Sequence, residues 1–196
     1  MRDLIRSKMV ALAFGLLARR TRARRRLALL FRPRVRAIDH VTLPVHDLAL
    51  ARKFYCDVLG AGHFMTVDDA MLARFGRPPA PNGGEMAHHV SVYLGGSTRV
   101  ELFLQRGGQP PPRYGHPHMA FRVTPRTFKT WQAKLDEVGI PYEGPLRIGI
   151  PGQASLYFND PSGNRLEILC LGYGTAVPER APIPERLVWD AEKVLR

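Results

Sequence analysis

Ser155-Leu156-Tyr157-Phe158-Asn159-Asp160-Pro161-Ser162-Gly163-Asn164-Arg165-Leu166-Glu167-Ile168-Leu169 reads as strand, tight turn, strand. Leu156, Tyr157 and Phe158 are strand formers, Asp160-Pro161-Ser162-Gly163 is turn chemistry, and an apolar run resumes at Leu166. Side chains alternate along a strand, so Leu166, Ile168 and Cys170 share one face while Glu167 points to the other. A strand with one wet face would explain the lone carboxylate as well as a functional acid would.

Two histidines stand in the same setting. In Ile38-Asp39-His40-Val41-Thr42-Leu43-Pro44-Val45, the apolar Val41, Leu43 and Val45 oppose His40 and Thr42; in His118 to Val123, Met119, Phe121 and Val123 oppose His118. A fourth strand, 98–105, alternates Val100, Leu102 and Leu104 against Arg99, Glu101, Phe103 and Gln105. If these strands share one curved sheet with helices on its convex side, His40, Glu101, His118 and Glu167 point into one concavity. Two imidazoles and two carboxylates there make a divalent-metal site.

These motifs resemble the vicinal oxygen chelate superfamily, which includes glyoxalase I, methylmalonyl-CoA epimerase, fosfomycin-resistance proteins and extradiol ring-cleaving dioxygenases. The resemblance rests on Ile38 to Gly60 with His40, Phe54-Tyr55 and Leu59-Gly60; on Val100-Glu101-Leu102-Phe103; on Gly115 to Val123 around His118; and on Asp160-Pro161-Ser162-Gly163-Asn164 leading to Glu167. It implies an α+β fold of two tandem βαβββ modules forming a curved mixed sheet around a metal cavity. The superfamily hosts many reactions, so the resemblance speaks to architecture more than to substrate.

A length of 196 residues suits one domain or two small fused modules. Residues 36–171 are expected to form the domain, with module one at 36–106 and module two at 114–171. Asp47 can cap a helix that carries Leu50, Ala51, Phe54, Tyr55, Val58 and Leu59 and stops at Gly60. Thr124-Pro125 opens a second helix carrying Phe128, Trp131, Leu135 and Val138, closed by Gly139. The strand-helix-strands plan thus repeats. Residues 66–85 hold a helical turn at 70–75 and a long Gly/Pro-rich loop that edges the cavity. Met86 to Leu94 and Thr98 to Gln105 form a hairpin over Gly95-Gly96, and one of His88 and His89 faces the concave side as a partly buried histidine. Pro110-Pro111-Pro112 links the modules. Residues 172–196 are a Gly/Pro-rich connector and a short helix from Glu185, which docks on its own domain or on a partner chain.

The net charge of +12 is almost wholly terminal, because residues 1–36 hold twelve Lys or Arg against one acid. This basic, amphipathic extension (1–35) has an apolar run of about ten residues, too short to span a bilayer. It suits an organelle transit peptide, peripheral membrane contact through residues 1–31, or a solvated tail. No aromatic interleaving or reading motif points to nucleic acid. Cys56 and Cys170 form no disulfide framework, which fits a cytoplasmic, reducing setting.

The resemblance implies His40, Glu101, His118 and Glu167 as metal ligands, at spacings of 61, 17 and 49 residues. The metal is Zn, Ni, Co or Mn in glyoxalase-like lyase/isomerase chemistry through an enediolate or enolate, with Glu167 as base and Glu101 as second candidate. Pro44 and Gln105 stand where glyoxalase I carries glutathione-contacting residues, which argues against glutathione. An extradiol-type dioxygenase would need only His40, His118 and Glu167 around Fe(II), with Tyr157 on the same face, but Arg147 to Ala154 lacks the histidine of that signature. Small-molecule binding without turnover is a third reading. A homodimer is expected in each case.

Overall fold

The computed structural model describes residues 38–76, 88–96, 98–105 and 118–195, together with Met9, Leu12 and Leu16, which are helical and exposed. The expectations for the rest of the basic extension, the loop at 77–87, the triproline link and residues 114–117 lie outside the described residues. No helix among the described residues is long and apolar enough to cross a membrane.

Each module builds its own four-stranded sheet. In module one, β1 (His40–Val45), β2 (Gly62–Val67), β3 (His89–Tyr93) and β4 (Arg99–Leu104) lie in the order β1-β4-β3-β2. Module two repeats this with β5 (Met119–Val123), β6 (Tyr142–Leu146), β7 (Gln153–Asn159) and β8 (Arg165–Leu171) in the order β5-β8-β7-β6. The first strand of each module runs parallel to its fourth, and the other pairs are antiparallel. The two tandem βαβββ modules are therefore present. The curved sheet is divided into two halves, with β1 and β5 as outer strands.

One face of each sheet is covered by helices. Leu166, Ile168 and Cys170 of β8 are buried with Phe128 and Leu135 of α3 (Pro125–Val138), in one core with Val90, Val92, Val100 and Leu102 of module one. Helix α3 starts on Thr124, whose hydroxyl accepts from the Thr127 amide, and stops at Gly139, which is left-handed at φ 81°. Helix α1 (Leu48–Lys53) is capped by Asp47 and continues as a π-helical stretch, Phe54–Val58. The short α2 (Asp69–Arg74) falls on the expected helical turn.

That π-helical stretch joins the modules. Phe54 packs against Phe158, while the Tyr55 hydroxyl donates to Asp160 Oδ2 at 3.0 Å. Asp160 also takes amide donors from Ser162 and Asn164 and the Asn164 side chain, so the β7–β8 turn is a closed hydrogen-bond unit. The same turn grips the end of β1: Asn164 Nδ2 donates to the Pro44 carbonyl and the His46 amide to Ser162 Oγ.

The C-terminal residues depart from the single short helix expected from Glu185. A 3-10 turn, Pro184–Leu187, and α4 (Ala191–Leu195) are separated by the non-helical Val188-Trp189-Asp190. Leu187 is buried in the first, and Ala191 and Leu195 enter the main core from the second, so the two apolar groups serve different surfaces.

Candidate metal centre

The sheet faces turned away from the helices carry the polar residues, and the two modules place them in the same register. On module two, Ala120, Glu167, Tyr157 and Glu143 lie in one row across β5, β8, β7 and β6. On module one the corresponding row is Thr42, Glu101 and Ser91 across β1, β4 and β3. His118 lies two residues before Ala120, as His40 lies two before Thr42. Each module therefore presents a histidine and a glutamate in matching positions.

In module two the pair is assembled. His118 Nε2 lies 2.8 Å from Glu167 Oε2, and the Tyr157 hydroxyl donates to Glu167 Oε1 at 3.1 Å. Burial pushes the Tyr157 phenol up to about 12, and the neighbouring Glu167 carboxylate adds to that, so Tyr157 is a fixed donor across the physiological range. An imidazole nitrogen and a carboxylate oxygen that converge in this way are donor types that hold divalent cations.

Module one is different. Glu101 is buried, accepts from the Ser91 hydroxyl, and is ion-paired with Arg99 Nη1 at 3.1 Å. His89 Nε2 lies 3.5 Å from the same carboxylate, with its ring stacked on Phe103 at 4.3 Å. His89 is thus the concave-facing member of the histidine pair, and His88 sits 2.9 Å from Asp69. His40 is half exposed, with Nδ1 2.8 Å from Asp39 Oδ1; that carboxyl is held below its usual range by His40 and then Arg99.

The four expected ligands do not meet within one chain. Among the described residues no group of three or more His, Cys, Asp or Glu is placed to hold a metal. The topology gives the reason. The far end of β1, at Pro44 and His46, is tied to the turn that opens β8, and His118 opens β5 alongside that same end of β8. His40 lies at the other end of β1, five residues back, or about 16 Å along a strand. A cavity of about 470 Å³ between the β1 and β5 edges is lined largely by core-side residues such as Val41, Val100, Phe121 and Trp131, and none of His40, His118 and Glu167 lines it.

Ser91 was not singled out from the sequence, nor was Arg99 as a partner of Glu101. A signal for Ser91 exists: Ser91 precedes Glu101 by ten residues, as Tyr157 precedes Glu167. Arg99 precedes Glu101 by two on the same strand and so shares its face.

The profile of the Glyoxalase/Bleomycin resistance protein/Dioxygenase superfamily matches residues 37–168. Metallothiol transferase FosB of Staphylococcus epidermidis is 30% identical over 139 residues, covering 68% of this chain and 83% of that protein. FosB of Staphylococcus haemolyticus matches to the same extent. Among solved structures, a glyoxalase/dioxygenase from Nostoc punctiforme superposes with a TM-score of 0.54 at 24% identity, over 73% of this chain and 96% of that one. FosX from Listeria monocytogenes, complexed with Mn(II) and sulfate, superposes with a TM-score of 0.51 at 15% identity, over 70% and 93%. At these identities the structural likeness speaks to the fold.

Proposed function

The chain belongs to the glyoxalase/bleomycin resistance protein/dioxygenase superfamily, and from that premise we propose that it is a divalent-metal-dependent enzyme that adds a small thiol to a small substrate held through oxygen atoms. The observation that carries this reading is the His118–Glu167 pair fixed by Tyr157, with a histidine in the matching register of module one. His40 of a second chain would complete a set of two imidazoles and one carboxylate, which makes the enzyme a homodimer with exchanged modules. When bound, the ion supplies Lewis acidity towards a substrate oxygen.

The chain's own residues have separable roles in this reading. Tyr157 orients Glu167 through its hydroxyl hydrogen bond, as a partner behind a ligand does. Glu101 stands outside the ligand set, since Arg99 already neutralises it and Ser91 occupies one oxygen. Thiol transfer is favoured over glyoxalase-like lyase/isomerase chemistry for the same reason: proton shuttling wants a carboxylate free to move, and both are tethered. The 30% identity to proteins named metallothiol transferases supports the same choice. Both described cysteines are unpaired, which fits a reducing compartment with thiols at hand.

The three-ligand set also favours a second reading, since two histidines and one carboxylate form the facial triad of Fe(II) dioxygenases. One assay separates the chemistries. Protein purified without chelators is analysed for metal and incubated with a thiol and a panel of small epoxides bearing a phosphonate or carboxylate. Metal-dependent thiol consumption is expected. Solvent deuterium uptake into carbonyl substrates without thiol loss would overturn the reading towards the isomerases, and oxygen uptake with catechols after Fe(II) loading would overturn it towards ring cleavage.

A further inference from the structure

Residues 172–195 lie beyond the family-matched region, yet they reach the face that carries Glu167. After β8 the chain passes the outer strand β6, where the Arg147 amide donates to the Pro178 carbonyl, Arg147 pairs with Glu179 through its side chain, and the two residues form a parallel bridge. It then crosses onto the site face, anchored on Glu143. That buried carboxylate accepts from Arg180 at 2.9 and 3.3 Å, from the Ile183 amide at 2.6 Å and from Arg186 at 3.0 Å. Next comes Leu187, fully buried in a small apolar cluster with Leu146 and Tyr157, separate from the main core. Trp189 then donates to the Asn159 carbonyl at 3.1 Å, packs on Phe54, and leads α4 back into the helix-side core.

Leu146 faces this cluster because β6 carries a bulge. Glu143 pairs with Tyr157 and Leu146 with Ser155, so an extra residue lies between them and Leu146 comes to the site face. Gly144 makes this geometry: its φ is 147°, and a Cβ there would stand 2.4 Å from the Ser155 carbonyl oxygen.

Tyr157 is therefore gripped on one side by Leu187 and Leu146, while its hydroxyl extends to Glu167. We infer that Leu187 is a positioning and specificity-determining residue. It holds the Tyr157 ring where its hydroxyl reaches Glu167 and, with the strap that carries it, walls the β6 side of the site so that small substrates fit and bulky ones do not. The inference rests on Glu167 facing the substrate, as in the proposed function; the positioning role needs no metal.

Two measurements test it. Wild type, Leu187→Ala and Leu187→Met are labelled with a fluorinated tyrosine, each with and without Glu167→Gln. The Tyr157 resonance, identified by its loss in Tyr157→Phe, is followed by fluorine NMR in metal-free protein at one pH. The shift change that Glu167→Gln causes reports the hydroxyl contact; it is expected to fall to about half or less in Leu187→Ala and to return in Leu187→Met. An unchanged response in Leu187→Ala overturns the positioning role. In the second measurement, Mn(II)-loaded proteins bind acetohydroxamate and benzohydroxamate, a small and a large bidentate oxygen ligand. Wild type is expected to favour the small one, and Leu187→Ala to shift the ratio about tenfold towards the large one; an unchanged ratio overturns the wall. If wild type takes up no Mn(II), the metal reading fails, and the comparison of fluorine shifts still decides the role of Leu187. Should Leu187→Ala lose its circular dichroism, Glu143→Gln, which frees the strap, carries the same comparisons.

Discussion

Glu101 and Glu167 occupy the same position in their modules but have different partners, and this difference decides what each can do. Glu167 sees a histidine and a phenol, whereas Glu101, besides Ser91 and His89, sees a guanidinium 3.1 Å away. Glu167→Gln is therefore expected to abolish metal retention, while Glu101→Gln keeps near-wild-type metal content by elemental analysis. Loss of metal in Glu101→Gln would return it to the ligand set. Glu143 makes a second residue-scale claim. Arg180 above all, with the Ile183 amide and Arg186, holds its carboxyl at about 2 against an ordinary 4.5. A carboxyl lowered in the folded state contributes stability above its unfolded value and loses it as pH falls through the folded one. Wild type should lose part of its stability between pH 4.5 and about 2, and Glu143→Gln should show a flatter acid limb and lower stability at pH 7. Denaturant midpoints across that range check both. The alternation of apolar and polar residues on β1, β4, β5 and β8 set His40, Glu101, His118 and Glu167 apart from the core-facing positions in the sequence. It could not show that Arg180 and Arg186, some forty residues on, would converge on Glu143, because long-range ion pairing leaves no local period.

At the level of elements, strands with clean alternation and helices with caps could be read directly: the Asp47 and Thr124 caps and the Gly139 stop fall where their chemistry places them. Strands β2 and β6 were not legible. Phe64 lies at a bulge that breaks the alternation of β2, and β6 is Tyr-Glu-Gly-Pro-Leu, whose Gly-Pro reads as a turn. The π-helical stretch was likewise hidden inside an ordinary helical pattern, although it delivers Phe54 and Tyr55 to module two. Tyr55 ties that stretch to the β7–β8 turn through buried Asp160. Tyr55→Phe removes one donor from Asp160 and is expected to destabilise the chain by about 1–3 kcal/mol in urea unfolding. A change below a few tenths would mean that the remaining donors satisfy Asp160 without it.

For the whole molecule, the sequence supported two modules and their shared plan, but not how the modules face one another. Pattern fixes which side of a strand a residue occupies; it does not say whether two such sides meet in one chain or across two. Here β1 and β5 are the outer strands of separate sheets, and His40 is held at the end of β1 away from His118. In the proposed enzyme each complete site is shared by two chains: His40 from one, and His118 with Glu167 from the other. This is tested most directly by mixing His40→Ala and His118→Ala proteins, each without metal by itself, through unfolding and refolding. Random pairing makes half of the dimers mixed, and each mixed dimer regains one of its two sites. Metal content is then expected to rise to about a quarter of the wild-type value. A mixture that stays as empty as its two components would contradict a site shared between chains.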